Sequence, residues 1–369
     1  MAGLYIHIPF CHSKCAYCDF YSTPNTKYME QYVNALLCEI DLRITEIIEP
    51  FSTIYIGGGT PSILPINLLQ KIINKVSKFI DISTLKEFTI EANPEDITAE
   101  WVNGIIQLGI NRVSIGIQSF NNLELKIINR RHPAEKALNA IEILRQNGIE
   151  RISGDLIYGL PEQDLESWKY SLDRLMSLHL PHFSAYLLSY EPGTGLYAKL
   201  IAGKIKEASE ELVNEMYQYL ISTASLYGYN HYEISNFSKP GCEAIHNTNY
   251  WNDLSYLGIG VSAHSFDGQS RRFNPSNIKT YISQMQLGKC VFEIEEENID
   301  TRHNDYIVIA LRTAKGIDLD YYQKLYNSDI MKIAIPHIKA GRMKLTNNHL
   351  AIVEDSMLIS DSIMLDFII

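Results

Sequence analysis

The chain has 369 residues, 46% apolar and 20% charged, with 32 Lys+Arg against 43 Asp+Glu and a formal net charge of −11. That apolar share excludes intrinsic disorder, and 21 glycines without a triplet period exclude a collagen-like chain. An acidic balance with no local basic patch repels phosphate backbones and anionic lipid, so nucleic acid is excluded as a partner. The length fits two to three domains of about 150 residues, or an α/β barrel plus a smaller unit.

In chain order, residues 4–8 read as a β-branched strand and 28–48 as a helix. Residues 53–56 run as a strand into Gly57, and 68–80 repeat Leu/Ile at helical spacing. Strands at 87–91, 113–117, 151–157 and 182–189 then alternate with helices at 98–108, 133–147 and 165–178. Pro133 suits a first turn and Gly148 a C′ position. This alternation predicts right-handed βαβ crossovers, a parallel sheet and a partial (β/α)6 barrel, with functional side chains at the carboxyl ends of the strands. A further helix is expected at 209–227. Residues 228–275 are rich in Gly, Asn, Tyr and His, and Glu293, Glu295, Glu296 and Glu297 read as a solvated boundary.

The tail reads as short helices and a hairpin, with strands at 344–345 and 350–353 and Asn347–Asn348 at the turn. Such a unit is α+β and winged-helix-like. Its eight basic and nine acidic side chains leave no electrostatic footprint for DNA. The expected division is a barrel over 1–208, a connecting region over 209–298 and a small α+β domain over 299–369. No secretory signal or bilayer-spanning run is visible, which places the chain in the cytoplasm.

Three of the six cysteines, Cys11, Cys15 and Cys18, form C-x₃-C-x₂-C directly after the first expected strand. A cluster this tight is no disulfide framework; it points to reduced thiols holding a metal. Successive thiolates on a short loop reach different corners of an iron–sulfur cube, and three ligands for four irons leave one iron open to an external ligand. The alternatives are a zinc site completed by His7 or His12, or buried free thiols. Zinc spacing normally needs a second pair, whereas Cys38, Cys242 and Cys290 stand alone.

The run Tyr5-Ile-His-Ile-Pro-Phe-Cys11-x₃-Cys15-x-Tyr17-Cys18-Asp19-Phe20 resembles the start of a radical S-adenosylmethionine (SAM) protein. More narrowly, nearly the whole chain resembles the HemW-type haem chaperones, relatives of the oxygen-independent coproporphyrinogen III oxidase. The resemblance implies a 4Fe-4S cluster on the three cysteines and SAM beside it. Gly58, Gly59 and Thr60, in Gly57-Gly-Gly-Thr-Pro61, would meet the SAM amino group; alone this segment is equally an ordinary strand-to-helix turn. Tyr5, Glu91, Gln118, Arg130 and Asp155 complete the implied SAM site. A carboxylate accepts from ribose hydroxyls and a guanidinium clamps a carboxylate. Each of the last four is singly as well explained by an ordinary cap or ion pair, whereas together they sit at successive strand ends. Tyr17 lies where a second SAM contacts the oxidase.

His246-Asn-Thr-Asn-Tyr250-Trp251 resembles the HNxxY haem-binding signature of the chaperone branch, which implies haem ligation by His246. Neutral imidazole suits haem iron and aromatic faces suit a porphyrin, although a lone His is more often structural and Cys242 is an alternative ligand. Gly258-x-Gly260 and Ala263-His264-Ser265 read as turn structure. Tyr227, Tyr229, Tyr232, Tyr250 and Tyr256 are core aromatics or a porphyrin-facing surface.

The oxidase carries a further cysteine two positions after the third cluster ligand, where this chain has Phe20. It also has an N-terminal extension, whereas this chain begins ten residues before Cys11. Both departures match the chaperone branch. The expectation is a chaperone delivering haem to haem-requiring proteins, respiratory enzymes at the membrane among them. It leaves a homodimer open. Decarboxylation of coproporphyrinogen in porphyrin biosynthesis is the competing reading, and a zinc-bound barrel acting as a binding module is the third.

Overall fold

A computed structural model describes residues 1–295 and 298–369. The expected alternation is present. Strands β1 (Ala2–Ile8), β2 (Phe51–Gly58), β3 (Glu87–Ala92), β4 (Arg112–Gln118), β5 (Arg151–Tyr158) and β6 (His182–Leu187) pair in parallel in that order. Helices cross back between them and cover the sheet. That burial on both faces is why β1 to β5 read as nearly continuous apolar runs. Short polar side chains start the helices: Thr98 accepts from the Trp101 amide, Asp164 from Ser167 and Ser209 from Leu212.

Residues 209–298 contribute strands to both ends of this sheet. β7 (Asn230–Glu233) and β8 (Asn236–Ser238) extend it beyond β6. On the far side β9 (Tyr256–Ile259) pairs in parallel with β1, and β10 (His264–Phe266), β11 (Arg271–Phe273) and β12 (Glu293–Glu295) follow antiparallel. Among the described residues no pairing joins β12 to β7, so the architecture is a partial barrel of six βα units with added edges. Of the expected acidic boundary, Glu293 and Glu295 are exposed on β12, and Glu296 and Glu297 lie outside the described residues.

The tail forms a separate three-stranded sheet of β13 (Ile317–Asp318), β14 (Met343–Thr346) and β15 (His349–Ile352), with helices Ile299–Leu311, Leu319–Tyr326 and Met331–Lys339. Asn347 (φ 49°) and Asn348 (φ 63°) are both left-handed, as a two-residue hairpin turn requires. Among the described residues no helix is long and apolar enough to cross a membrane.

Local differences from the expectation include two at helices. The helix expected over 28–48 is Met29–Arg43. Its last side chain is buried and pairs with Glu39 at 2.7 Å, and the chain then turns through Pro50 into β2. A short helix, Asn122–Ile127, capped by Asn121, stands where no periodicity was long enough to show it.

Candidate functional site

At the carboxyl ends of β2 to β6 the strands open onto a cavity of about 430 Å³. Cys11, Cys15 and Cys18 line it on one side. Their loop is pinned by the backbone: the Cys11 amide donates to Thr23, Ala16 to Ile128, and Leu196 back to Ala16. Burial pushes the Cys18 thiol up to about 11 and the Cys11 thiol in the same direction, so ligation there releases protons. Among the described residues no three His, Cys, Asp or Glu side chains are arranged to share one metal ion. His7, the first candidate fourth zinc ligand, pairs with the Tyr5 hydroxyl and the Tyr21 carbonyl, both at 3.0 Å. His12 faces Asp96 at 3.7 Å. A cubane does not need three sulfurs to converge, since each takes a different iron, so this donor set fits a cluster better than a single ion.

Gly58, Gly59 and Thr60 line the same cavity. Gly58 has φ +116°, and a Cβ there would lie 2.6 Å from the His7 ring; one on Gly59 would lie 2.7 Å from the Phe10 carbonyl. These glycines let the β2 end lie against the start of the cysteine loop. The amides of Gly59 and Thr60 donate to Ile8 and Phe10, each at 2.8 Å. An ammonium group needs acceptors, so engaged amides are compatible with one docking there.

Glu91 accepts from the Tyr55 hydroxyl at 2.7 Å and the Gly58 amide at 3.0 Å. Burial, reinforced by the charge of Asp155, raises its pKa to about 7. Asp155, shifted upward by its own burial, accepts from the Ser114 hydroxyl at 3.2 Å. Gln118 reaches the cavity through a register break in β4 and a left-handed backbone (φ 69°), a bulge that re-aims the side chain. Arg130 spans the site, donating to Asn93 Oδ1 at 2.8 Å and to Cys15 Sγ at 3.5 Å. It ties the cysteine loop to the strand ends and presents a guanidinium beside the sulfurs.

The structure thus brings together the three cysteines and seven of the eight residues expected for SAM. It does not bring Tyr5 there: its ring stacks on Tyr55 and lines a second cleft. His246 lies in neither cavity. It is 1% exposed, with Nδ1 paired to Thr53 Oγ1 and Nε2 to the Tyr250 hydroxyl, each at 2.8 Å. Burial lowers its pKa to about 3, and its amide is anchored to Glu87 on β3 at 3.0 Å. To meet an iron, this ring must leave the core and both partners.

Four side chains the motifs did not single out also build the site. Asn93 joins Thr60 to Arg130, Ser114 holds Asp155, Tyr55 holds Glu91, and Tyr186 lines the cavity at the end of β6. Asn93 stands two positions after Glu91 and Ser114 four before Gln118, and the strand-end rule that selected Glu91 also selects Tyr186.

Known proteins resemble this chain in sequence and in fold. Residues 5–175 match the radical SAM superfamily. The chain is 34% identical over 332 residues to the haem chaperone HemW of Lactococcus lactis, covering 89% of this chain and 86% of that protein. It is 34% identical over 339 residues to HemW of Bacillus subtilis, covering 89% and 88%. HemW of Buchnera aphidicola from Acyrthosiphon pisum is 36% identical over 341 residues, covering 88% and 86%. In fold, the chain superposes on coproporphyrinogen III oxidase (HemN) from Escherichia coli with a TM-score of 0.85 at 23% identity, over 99% of this chain and 89% of that one. With relatives this similar over most of its length, the chain belongs to the HemW haem-chaperone family of the radical SAM superfamily.

Proposed function

We propose that this chain is a cytoplasmic haem chaperone that holds a 4Fe-4S cluster on Cys11, Cys15 and Cys18, seats SAM beside it, and passes haem to haem-requiring proteins, respiratory enzymes among them. The observation that carries the reading is the meeting of three thiols with Gly58, Gly59, Thr60, Glu91, Gln118, Arg130 and Asp155 around one cavity. When bound, the cluster supplies an iron with an open coordination position at which an amino acid can chelate. Arg130 would clamp the SAM carboxylate, while Glu91 and Asp155 accept from ribose hydroxyls. Their buried carboxyls would orient the nucleoside and favour a cationic sulfonium once ionised.

Decarboxylation of coproporphyrinogen is the second reading, favoured by the shared fold. Against it stands Phe20, 65% exposed where the resembled oxidase has a cysteine. One anaerobic preparation reconstituted with iron and sulfide separates the two. Added haem should give a Soret shift, and SAM with coproporphyrinogen should give no porphyrin product. Clear turnover would replace the chaperone reading with the oxidase.

A further inference from the structure

A second cleft of about 550 Å³ lies across Asp19 and Phe20 from the cysteine cavity, and those two residues line both. Its size falls within the roughly 300–1,000 Å³ of pockets that enclose a drug-sized ligand. Most of its wall is aromatic, with Phe20, Tyr21, Tyr250, Trp251, Tyr256 and Phe266, and its charged groups are Asp19, Asp253 and Arg271. Tyr250 meets Tyr256 edge-to-face at 4.6 Å, so the wall is a set of mutually braced rings.

Two imidazoles line this cleft, and they differ. His7 is 4% exposed and both its nitrogens are engaged. His264, at the start of β10, is exposed, and its ring nitrogens make no hydrogen bond among the described residues. The ring is instead braced by Phe273, its β11 partner, with centroids 4.7 Å apart. Its backbone lies so close to β9 that a Cβ on Gly258 would sit 1.9 Å from the His264 carbonyl oxygen. The Gly258-x-Gly260 and Ala263-His264-Ser265 segments are therefore one device: the first has the small residue that lets the second lie against it.

We propose that haem is seated in this aromatic cleft and that His264, rather than the core residue His246, is its iron ligand. The inference rests on the haem-chaperone reading and goes beyond it by naming the place and the ligand. Here an imidazole with free nitrogens, ring faces on the walls and room for a macrocycle coincide. The porphyrin edge would then lie across Phe20 from the cysteine loop, which gives the aromatic side chain at that position a role as a shared wall.

The test is a hemin titration of the reconstituted full-length protein, followed by Soret absorption and resonance Raman. Wild type, His264→Ala, His264→Gly and His246→Ala are compared, with circular dichroism and iron content checking that each has folded. The Soret maximum should move and affinity should fall about tenfold or more in His264→Ala. His264→Gly supplied with free imidazole should regain the wild-type spectrum, and folded His246→Ala should keep it. Wild-type binding with an unchanged spectrum and affinity in His264→Ala would overturn the assignment and leave the chaperone reading standing. No hemin binding by wild type would overturn both.

Discussion

The cysteine cavity and the aromatic cleft share Asp19 and Phe20 but are built on opposite plans. Side chains in the first come from successive parallel strand ends, so the order of motifs in the sequence is their order around the site. They are polar and tied to one another: Tyr55 to Glu91, Ser114 to Asp155, Arg130 to Asn93 and Cys15. The second is made of large rings from β1, the cysteine loop, the helix Ile245–Trp251, β9 and β10, segments up to about 260 positions apart. A polar network holds charged groups in fixed places, whereas an aromatic cleft offers area and shape. One protein thus carries a site suited to a charged nucleoside beside one suited to a flat apolar ring.

Four substitutions would break or sharpen that contrast. Cys15→Ala should have the largest effect, removing the cluster, measured as lost iron and acid-labile sulfide, while hemin still binds in the cleft. Parallel loss of hemin binding in a folded variant would mean that the two sites are one. Arg130→Ala should weaken SAM binding by about 10- to 100-fold by calorimetry, since a buried guanidinium is worth roughly 1.5–3 kcal/mol to a charged partner. Hemin affinity should not change.

Glu91 makes the polar cavity sensitive to pH. An acid whose folded pKa is raised from 4.5 to about 7 gives its full contribution to stability below 4.5 and loses it as pH rises through about 7. Ligand-free protein should therefore become less stable across that window. Glu91→Gln should flatten the profile and gain about 1 kcal/mol above neutral pH, read from denaturant melts. A variant profile as steep as wild type would assign the dependence to another group. Tyr250→Phe has the smallest expected effect, about 1 kcal/mol of stability, because it leaves His246 Nε2 without its partner. An unaltered stability would mean that the imidazole is not held as the structure has it.

The parallel strands were legible because burial on both faces leaves an uninterrupted apolar run, and their end residues followed from the architecture. Gln118 is an example: the sequence places it at a strand end, but only the bulge shows how its side chain turns inward. His246 shows where sequence stops. A seven-residue helix has no periodicity to say which face is buried, so nothing local reveals that Thr53 and Tyr250 enclose the ring. Tyr5 is similar, since pairing with β2 stacks it on Tyr55 away from the first cavity. His264 read as a turn residue because a three-residue strand against a glycine leaves no alternation to detect.

Both sites are read from Cys11, Cys15 and Cys18 gripping one cubane. Iron and acid-labile sulfide analysis of anaerobically reconstituted protein tests it directly. About four of each per chain are expected, with Cys15→Ala far below that. Protein that retains zinc but neither iron nor sulfide would contradict it.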